Sequence, residues 1–301
     1  MIMNKAYKKQ VGLLIKIAPL LYPIKDFAIH GGTAINLFHR DLLRYSVDLD
    51  ITYLPIESRE ESLTHINELL AKLKLRIEKS IPNIKVVHKT NIWKLQCSLD
   101  GATVKVEVNG VKRGIMGEVE EIELCPKAQR EFNTNFIARI VPFSLLYGGK
   151  ISAALSRQHP RDLFDYDKME HTLFNDVKDG FLFYLLGSDK PIIELLNPNL
   201  IDQSQSLEQQ FRGMTNEEFE YIDFERARLD LITKVNEMLN DRDKEFLISF
   251  EKGEPDWDLC SIGDISHYPA TSWKLQNINK LRSSNYNKFA DGISKLEDFL
   301  K

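Results

Sequence analysis

Residues Val47 to Ile51 read Val-Asp-Leu-Asp-Ile. Strict alternation marks a strand with one buried face, so Val47, Leu49 and Ile51 need a core while Asp48 and Asp50 share the other side. A strand is not stable alone. The pattern therefore commits the chain to a sheet with one polar face that carries two carboxylates. Their Cα atoms lie about 7 Å apart in an extended strand. At an effective dielectric near 20, two unpaired charges at that distance repel by about 2 kcal/mol. A basic side chain, a proton or a divalent metal must offset that.

The flanking residues narrow the choice. Phe27 to Ile29 reads as a short strand ending at Gly31-Gly32, and Thr33 to His39 as the helix that follows. Glycine lets a backbone approach a ligand closely, and a helix start presents free N–H groups to a phosphate. Two glycines alone equally make a tight strand-to-helix turn. Followed by the aspartates of the next strand, they can grip one triphosphate from two sides.

Further on, Glu60 to Lys79 has helical spacing, and three strand-like runs follow, IKVVHK, IWKLQCSL and ATVKVEVN. Asp100-Gly101 between the last two supplies a tight hairpin turn. In the third run Val104, Val106 and Val108 face a core, and Thr103, Lys105, Glu107 and Asn109 face the other way. If that strand neighbours Val47–Tyr53, Glu107 joins Asp48 and Asp50 as an oxygen ligand set suited to one or two Mg²⁺ ions. Otherwise the acids line a solvated sheet face.

From about Val141 helical patterns take over, as in Phe219 to Leu247. Expected domains are thus an α+β unit over 1–140, built on a mixed sheet, and a mainly helical unit over 141–301. Pro255 to Leu281 reads as loop-rich before a final helix. The run KISAALSRQHPRDLFDY places Lys150 and Arg157 on one helix face, starts a new helix at Pro160 and sets Asp162 and Asp165 on one side of it. Arg161 lies in the same run. Two readings are open for these residues: an ion-pair network knitting two helices, or, for Lys150, a cation that neutralises a bound triphosphate.

Composition limits partners. Net charge is −4, so any nucleic-acid surface is a local patch. Lys72, Lys74, Arg76, Lys79, Lys85, Lys89 and Lys94 form such a run, with His88 and Trp93 interleaved. It reads either as an RNA-tracking surface or as the solvated face of a helix and two strands. Trp257 and Trp273 are expected to pack in a core rather than stack bases. The three cysteines, Cys97, Cys125 and Cys260, form no CxxC pair, which fits a reducing compartment. The apolar run near the start is interrupted by Lys16 and Pro19 and is too short to cross a bilayer. A cytoplasmic protein with no membrane partner is expected.

Taken together, HGGTAINLF, RYSVDLDI, a later strand acid and K-x6-R-x3-RDLFD resemble the AbiEii/AbiGii abortive-infection toxins, to which the mycobacterial MenT enzymes are related. The resemblance runs firmly from Phe27 to Asp167, with a weaker echo in PDWD…YPATSWKLQNINKL. It implies a polymerase-β-like nucleotidyltransferase domain followed by a helical domain, NTP as substrate, Mg²⁺ as cofactor, and a cognate antitoxin. Gly31, Gly32 and Ser46, with Lys150 and Arg157, would then bind the triphosphate. Asp48 and Asp50 would hold metal, and Lys150 and Asp162 would be needed for activity. Better-studied relatives add nucleotides to the acceptor ends of tRNA and so stop translation. Two departures are visible: the superfamily's Gly-Ser pair is Gly-Gly here, with Ser46 the nearest serine, and the third acid is Glu107 rather than Asp. A phosphate on Ser46 would add nearly two negative charges beside the carboxylates and is expected to silence the site. Other classes in view are a transferase that adenylylates a protein or small molecule, and a non-catalytic fold that binds an antitoxin.

Overall fold

The computed structural model describes residues 4–170 and 173–301. It divides into two compact units: Met1–Pro142 with Glu208–Glu218, and Phe143–Leu207 with Phe219–Lys301. The second crossing into the first unit, at Glu208–Glu218, has no marker in the sequence.

The first unit is built on a seven-stranded mixed sheet. Its strands are β1 (Phe27–His30), β2 (Asp48–Tyr53), β3 (Lys85–Lys89), β4 (Lys94–Leu99), β5 (Ala102–Val108), β6 (Glu120–Glu123) and β7 (Ile137–Ile140), in the order β3-β4-β5-β2-β1-β7-β6. The β2–β5 and β1–β7 pairs are parallel and the others antiparallel. Helices α1 (Lys5–Ile17) and α3 (Arg59–Ser80) pack on β5 and on β3 and β4 respectively. Ser58 caps α3, accepting from the Glu61 N–H while the Glu61 side chain returns to the Ser58 N–H. The helix then buries Ile66, Leu70, Leu73 and Ile77 at three- and four-residue spacing. These meet the apolar side of the sheet, where Leu49, Leu95, Cys97, Val104 and Val106 are fully buried. Each such side chain contributes roughly 1.5–3 kcal/mol, so Leu73→Ala would cost about 2–5 kcal/mol. Burial pushes the Cys97 thiol up to about 12, and all three cysteines are free and buried.

Between β1 and β2 lies α2 (Gly31–Ala34), which widens into a π-helical turn over Ile35–His39. The helix therefore starts at Gly31, two residues before the expected Thr33, with the glycine pair inside its first turn. A further helix, α4 (Pro126–Phe132), precedes β7.

The second unit is helical. It contains α5 (Phe143–Arg157), α6 (Pro160–Asp167), α7 (Lys178–Leu186), α8 (Ile192–Leu196), a single turn α9 (Ser204–Ser206), α10 (Tyr221–Glu237), α11 (Asp241–Glu251), α12 (Pro269–Ser284) and α13 (Tyr286–Leu300). Helices α5 and α7 touch backbone to backbone. A Cβ on Gly148 would fall 2.2 Å from the Gly180 carbonyl carbon, and one on Gly180 would fall 2.0 Å from the Ser144 oxygen. Only glycine permits that approach. The helical pattern over Phe219 to Leu247 is carried by two helices, because Asn240 caps α11 by accepting from the Asp243 N–H. One expectation is corrected here: the loop-rich segment ends at Pro269, whose fixed φ starts α12, and does not run on to Leu281. None of the described helices is long and apolar enough to cross a membrane.

Candidate active site

Sheet register fixes what shares a face with the two aspartates. In β2 the burial alternates, with Leu49 and Ile51 buried, Asp48 half-buried and Asp50 exposed. Residues paired across adjacent strands point the same way. Asp50 lies opposite His30 on one side and Glu107 on the other, and Asp48 lies opposite Lys105. Glu107 in turn pairs Lys94, and Lys94 pairs Lys89. One polar face thus runs from His30 through Asp50, Glu107 and Lys94 to Lys89, opposite the apolar face that α1 and α3 cover.

The glycine pair closes over this face. Gly31 sits at φ +69°, and a Cβ there would fall 2.6 Å from Asp50 Oδ2. A Cβ on Gly32 would fall 2.5 Å from Arg44 Nη2 and 3.0 Å from Ser46 Oγ. Either substitution would push side chains out of place, so the glycines keep a bare backbone beside a carboxylate on one side and a guanidinium and a hydroxyl on the other. Thr33, fully buried, donates to the Asp48 carbonyl at 2.6 Å and makes a second hydrogen bond with Ser46 Oγ at 3.0 Å. This ties the first turn of α2 to the start of β2. Ser46 is only 7% exposed, which keeps its hydroxyl out of reach of a modifying enzyme in this conformation.

Arg44 is the residue that reading the sequence passed over. It is buried, donates from Nη1 to the Tyr45 carbonyl at 3.1 Å, and accepts positional help from Asn36, whose Oδ1 takes the Arg44 N–H. Its signal was the same period of two: Arg44, Ser46, Asp48 and Asp50 are evenly spaced. A buried guanidinium beside a bare glycine is well suited to phosphate oxygens.

Glu107 is differently placed from a ready ligand. It is adjacent to Asp50 in register, but Lys94 Nζ holds its Oε1 at 2.7 Å. Among the described residues no group of three or more His, Cys, Asp or Glu is drawn together as a metal cage. The hard oxygens of Asp48 and Asp50, with the open backbone at Gly31, still fit a Mg²⁺ that keeps several of its own waters or takes substrate phosphates as ligands.

The other expected residues lie in the second unit. Lys150, 6% exposed, is held by Asp162 Oδ1 at 2.7 Å and Asp165 Oδ2 at 2.9 Å. Arg157 adds Nε to Asp162 Oδ2 at 2.5 Å and Nη2 to Oδ1 at 3.0 Å. Burial alone would raise the Asp162 carboxyl, but Lys150 and Arg157 hold it well below the usual carboxylate range. The geometry is that of an ion-pair network joining α5 to α6. Arg161 is half-buried at the start of α6, where its N–H donates to His159 Nδ1.

The basic run is split by the fold. Lys72, Arg76 and Lys79 are exposed on α3, whereas Lys85, Lys89 and Lys94 stand on the opposite, polar face of the sheet. His88 points toward α3, with Nε2 3.2 Å from Asn67 Oδ1. Trp93 packs over Gly110. In the second unit Trp257 packs against Phe246 and Phe250 as expected. Trp273 is 52% exposed, contrary to expectation, because it lies on the outer side of α12 between buried Thr271 and Lys274.

The overall arrangement, a mixed sheet presenting an Asp-x-Asp strand beside a glycine-led helix and joined to a helical unit, is a nucleotidyltransferase fold. It is shared with MenT4, a nucleotidyltransferase toxin from Mycobacterium tuberculosis H37Rv, at a TM-score of 0.59 and 13% identity, over 91% of this chain and 95% of that one. At that identity the likeness speaks for the fold. The family model described as the nucleotidyl transferase AbiEii toxin of type IV toxin–antitoxin systems matches residues 23–277. The chain belongs to that family. No curated relative matches it.

Proposed function

We propose that this chain is a cytoplasmic toxin that transfers a nucleoside monophosphate from an NTP to RNA, the acceptor end of tRNA foremost, and so blocks translation until a cognate antitoxin restrains it, in abortive infection or phage defence. One observation carries this reading: in a nucleotidyltransferase toxin family, Asp48 and Asp50 share a polar sheet face, with Asp50 directly under the bare backbone of Gly31.

Asp48 and Asp50 are the residues that would hold Mg²⁺, with Glu107 available once Lys94 lets go. When bound, the ion neutralises phosphate charge and favours in-line displacement of pyrophosphate. The chain itself positions the nucleotide. Gly31 and Gly32 let phosphate oxygens come close to backbone N–H groups. Arg44 and Ser46 supply a fixed cation and a hydroxyl beside Gly32, and Thr33 keeps Ser46 in place. Positioning of this kind, together with charge stabilisation, is most of what phosphoryl transfer asks of a protein. For Lys150, Arg157 and Asp162, the family motif is what supports a part in activity.

The test is direct. The protein is incubated with each α-labelled NTP, Mg²⁺ and a cell lysate, beside an Asp48→Ala control. Label in tRNA that disappears in the variant is the expected result. Label in protein, or no label with any nucleotide, overturns the reading.

A further inference from the structure

We propose that the polar face of β5, β4 and β3 is the docking track for the acceptor: a single-stranded stretch of RNA whose backbone phosphates pair with Lys105, Lys89 and Lys85. This rests on the reading that the acceptor is RNA, and it assigns a surface to it.

Register places these lysines. Lys105 is the neighbour of Asp48 on β5. Across Gln96 and Ser98 of β4 stand Val87 and Lys85 of β3, and Lys89 lies beyond Lys94. The face spans three inter-strand steps from β2 to the sheet edge, about 14 Å, which suits a few nucleotides. Lys85, Lys89 and Lys105 are exposed, and none makes an ion pair among the described residues. Lys94 is different, since it is spent on Glu107. Neutralising Glu107 removes the one acid that would stand between the aspartates and the lysines on this face. What remains is a graded surface: carboxylates at the centre and unpaired cations outward, on a chain whose net charge is −4. Local cations that the fold leaves unpaired, lined up beside the aspartates, complement a polyanion whose end must reach those aspartates.

The chemistry also limits the kind of polyanion. Register puts no aromatic side chain among the described residues of this face, so base stacking of the sort used by sequence-reading sheets has no platform. Phosphate contacts from lysine position a strand without reading its sequence. The exposed basic residues of α3 point away from this face and take no part.

The test needs no catalysis. Anisotropy of a short labelled single-stranded RNA with a free 3′ end is measured over a salt series without NTP. Each lost phosphate contact on a single strand lowers the slope of log K against log salt by about 0.7. The combined Lys85→Gln, Lys89→Gln, Lys105→Gln variant is therefore expected to lower it by about 2, and Lys105→Gln alone by about 0.7. A second combination with the same change of charge, Lys72→Gln, Arg76→Gln and Lys79→Gln on α3, is expected to leave the slope unchanged. Equal losses in both combinations, or no loss in the first, overturn the track. So does a first combination that keeps its RNA slope but loses binding to polyglutamate, since the face would then hold an acidic protein. The two readings fail separately. Slopes as expected with no labelled RNA product sink the proposed function and leave the track. Labelled RNA with an unchanged slope sinks the track alone.

Discussion

Each unit has a pair of aspartates close together in sequence, and the fold treats the pairs in opposite ways. Asp48 and Asp50 stand on an open sheet face, one half-buried and the other exposed. Asp162 and Asp165 are buried, and Lys150 and Arg157 close over them. The first pair keeps access to water, Asp50 above all. The second pair is matched permanently from within. Acid pairs that look equivalent in a sequence thus divide by burial: one stands on an accessible sheet face, and the other is an internal joint between two helices.

Five experiments would break or sharpen that contrast. Removing Lys150 leaves two buried carboxylates without their cation, so Lys150→Ala is expected to cost about 3–5 kcal/mol in chemical denaturation; a loss under 1 kcal/mol would mean the joint is solvated. Asp48→Asn should do the reverse, lowering transfer by about 10²–10³-fold while stability stays within about 0.5 kcal/mol of wild type. Intermediate in size, Gly31→Ala forces a left-handed backbone onto a residue with a Cβ, at about 1–2 kcal/mol. It also drives a methyl into Asp50, so transfer falls too; normal activity would show that the close approach is not used.

The joint has a pH signature. Asp162 is depressed in the folded state, so its contribution is present above its unfolded value near 3.9 and fades as pH drops below it. Asp162→Asn should flatten the loss of stability between about pH 4 and pH 2. An unchanged acid limb would remove Asp162 from the account. The smallest effect is expected at Lys94, a partly exposed pair with Glu107 whose loss changes stability by less than about 1 kcal/mol. Lys94→Ala should nevertheless tighten Mg²⁺ binding, read by calorimetry, because Glu107 is released next to Asp50. Equal or weaker metal affinity would show that Glu107 is no ligand.

Much of the first unit could be read from side-chain period. The faces of β2 and β5 follow from alternation, and α3 from its spacing and its Ser58–Glu61 box. That β2 and β5 are neighbours is a long-range fact that period two permits but does not state. The weak points share a cause. Strands β6 and β7 are short and carry charge, with Glu120, Glu121, Glu123 and Arg139 in their bodies, so their alternation is faint. The start of α2 was missed because glycine is a poor helix former, and here tertiary closeness to Asp50 and Ser46 selects it anyway. Arg44 escaped notice because it precedes the strand whose face it shares. Helix α7 has apolar residues all round, so no amphipathic stripe announces it.

The return of Glu208–Glu218 to the first unit bears on how the protein is made. Tyr45 N–H is held by the Met214 carbonyl and Thr215 Oγ1 donates to the Leu43 carbonyl, 172 residues away along the chain. All seven strands have left the ribosome long before those partners exist. A nascent or truncated chain that stops short of Gly213 would therefore carry the aspartates but not the clasp that fixes the stretch leading into them. The order of synthesis itself delays fastening of the loop that leads into β2, and a cut made for convenience near residue 142 would leave it unfastened.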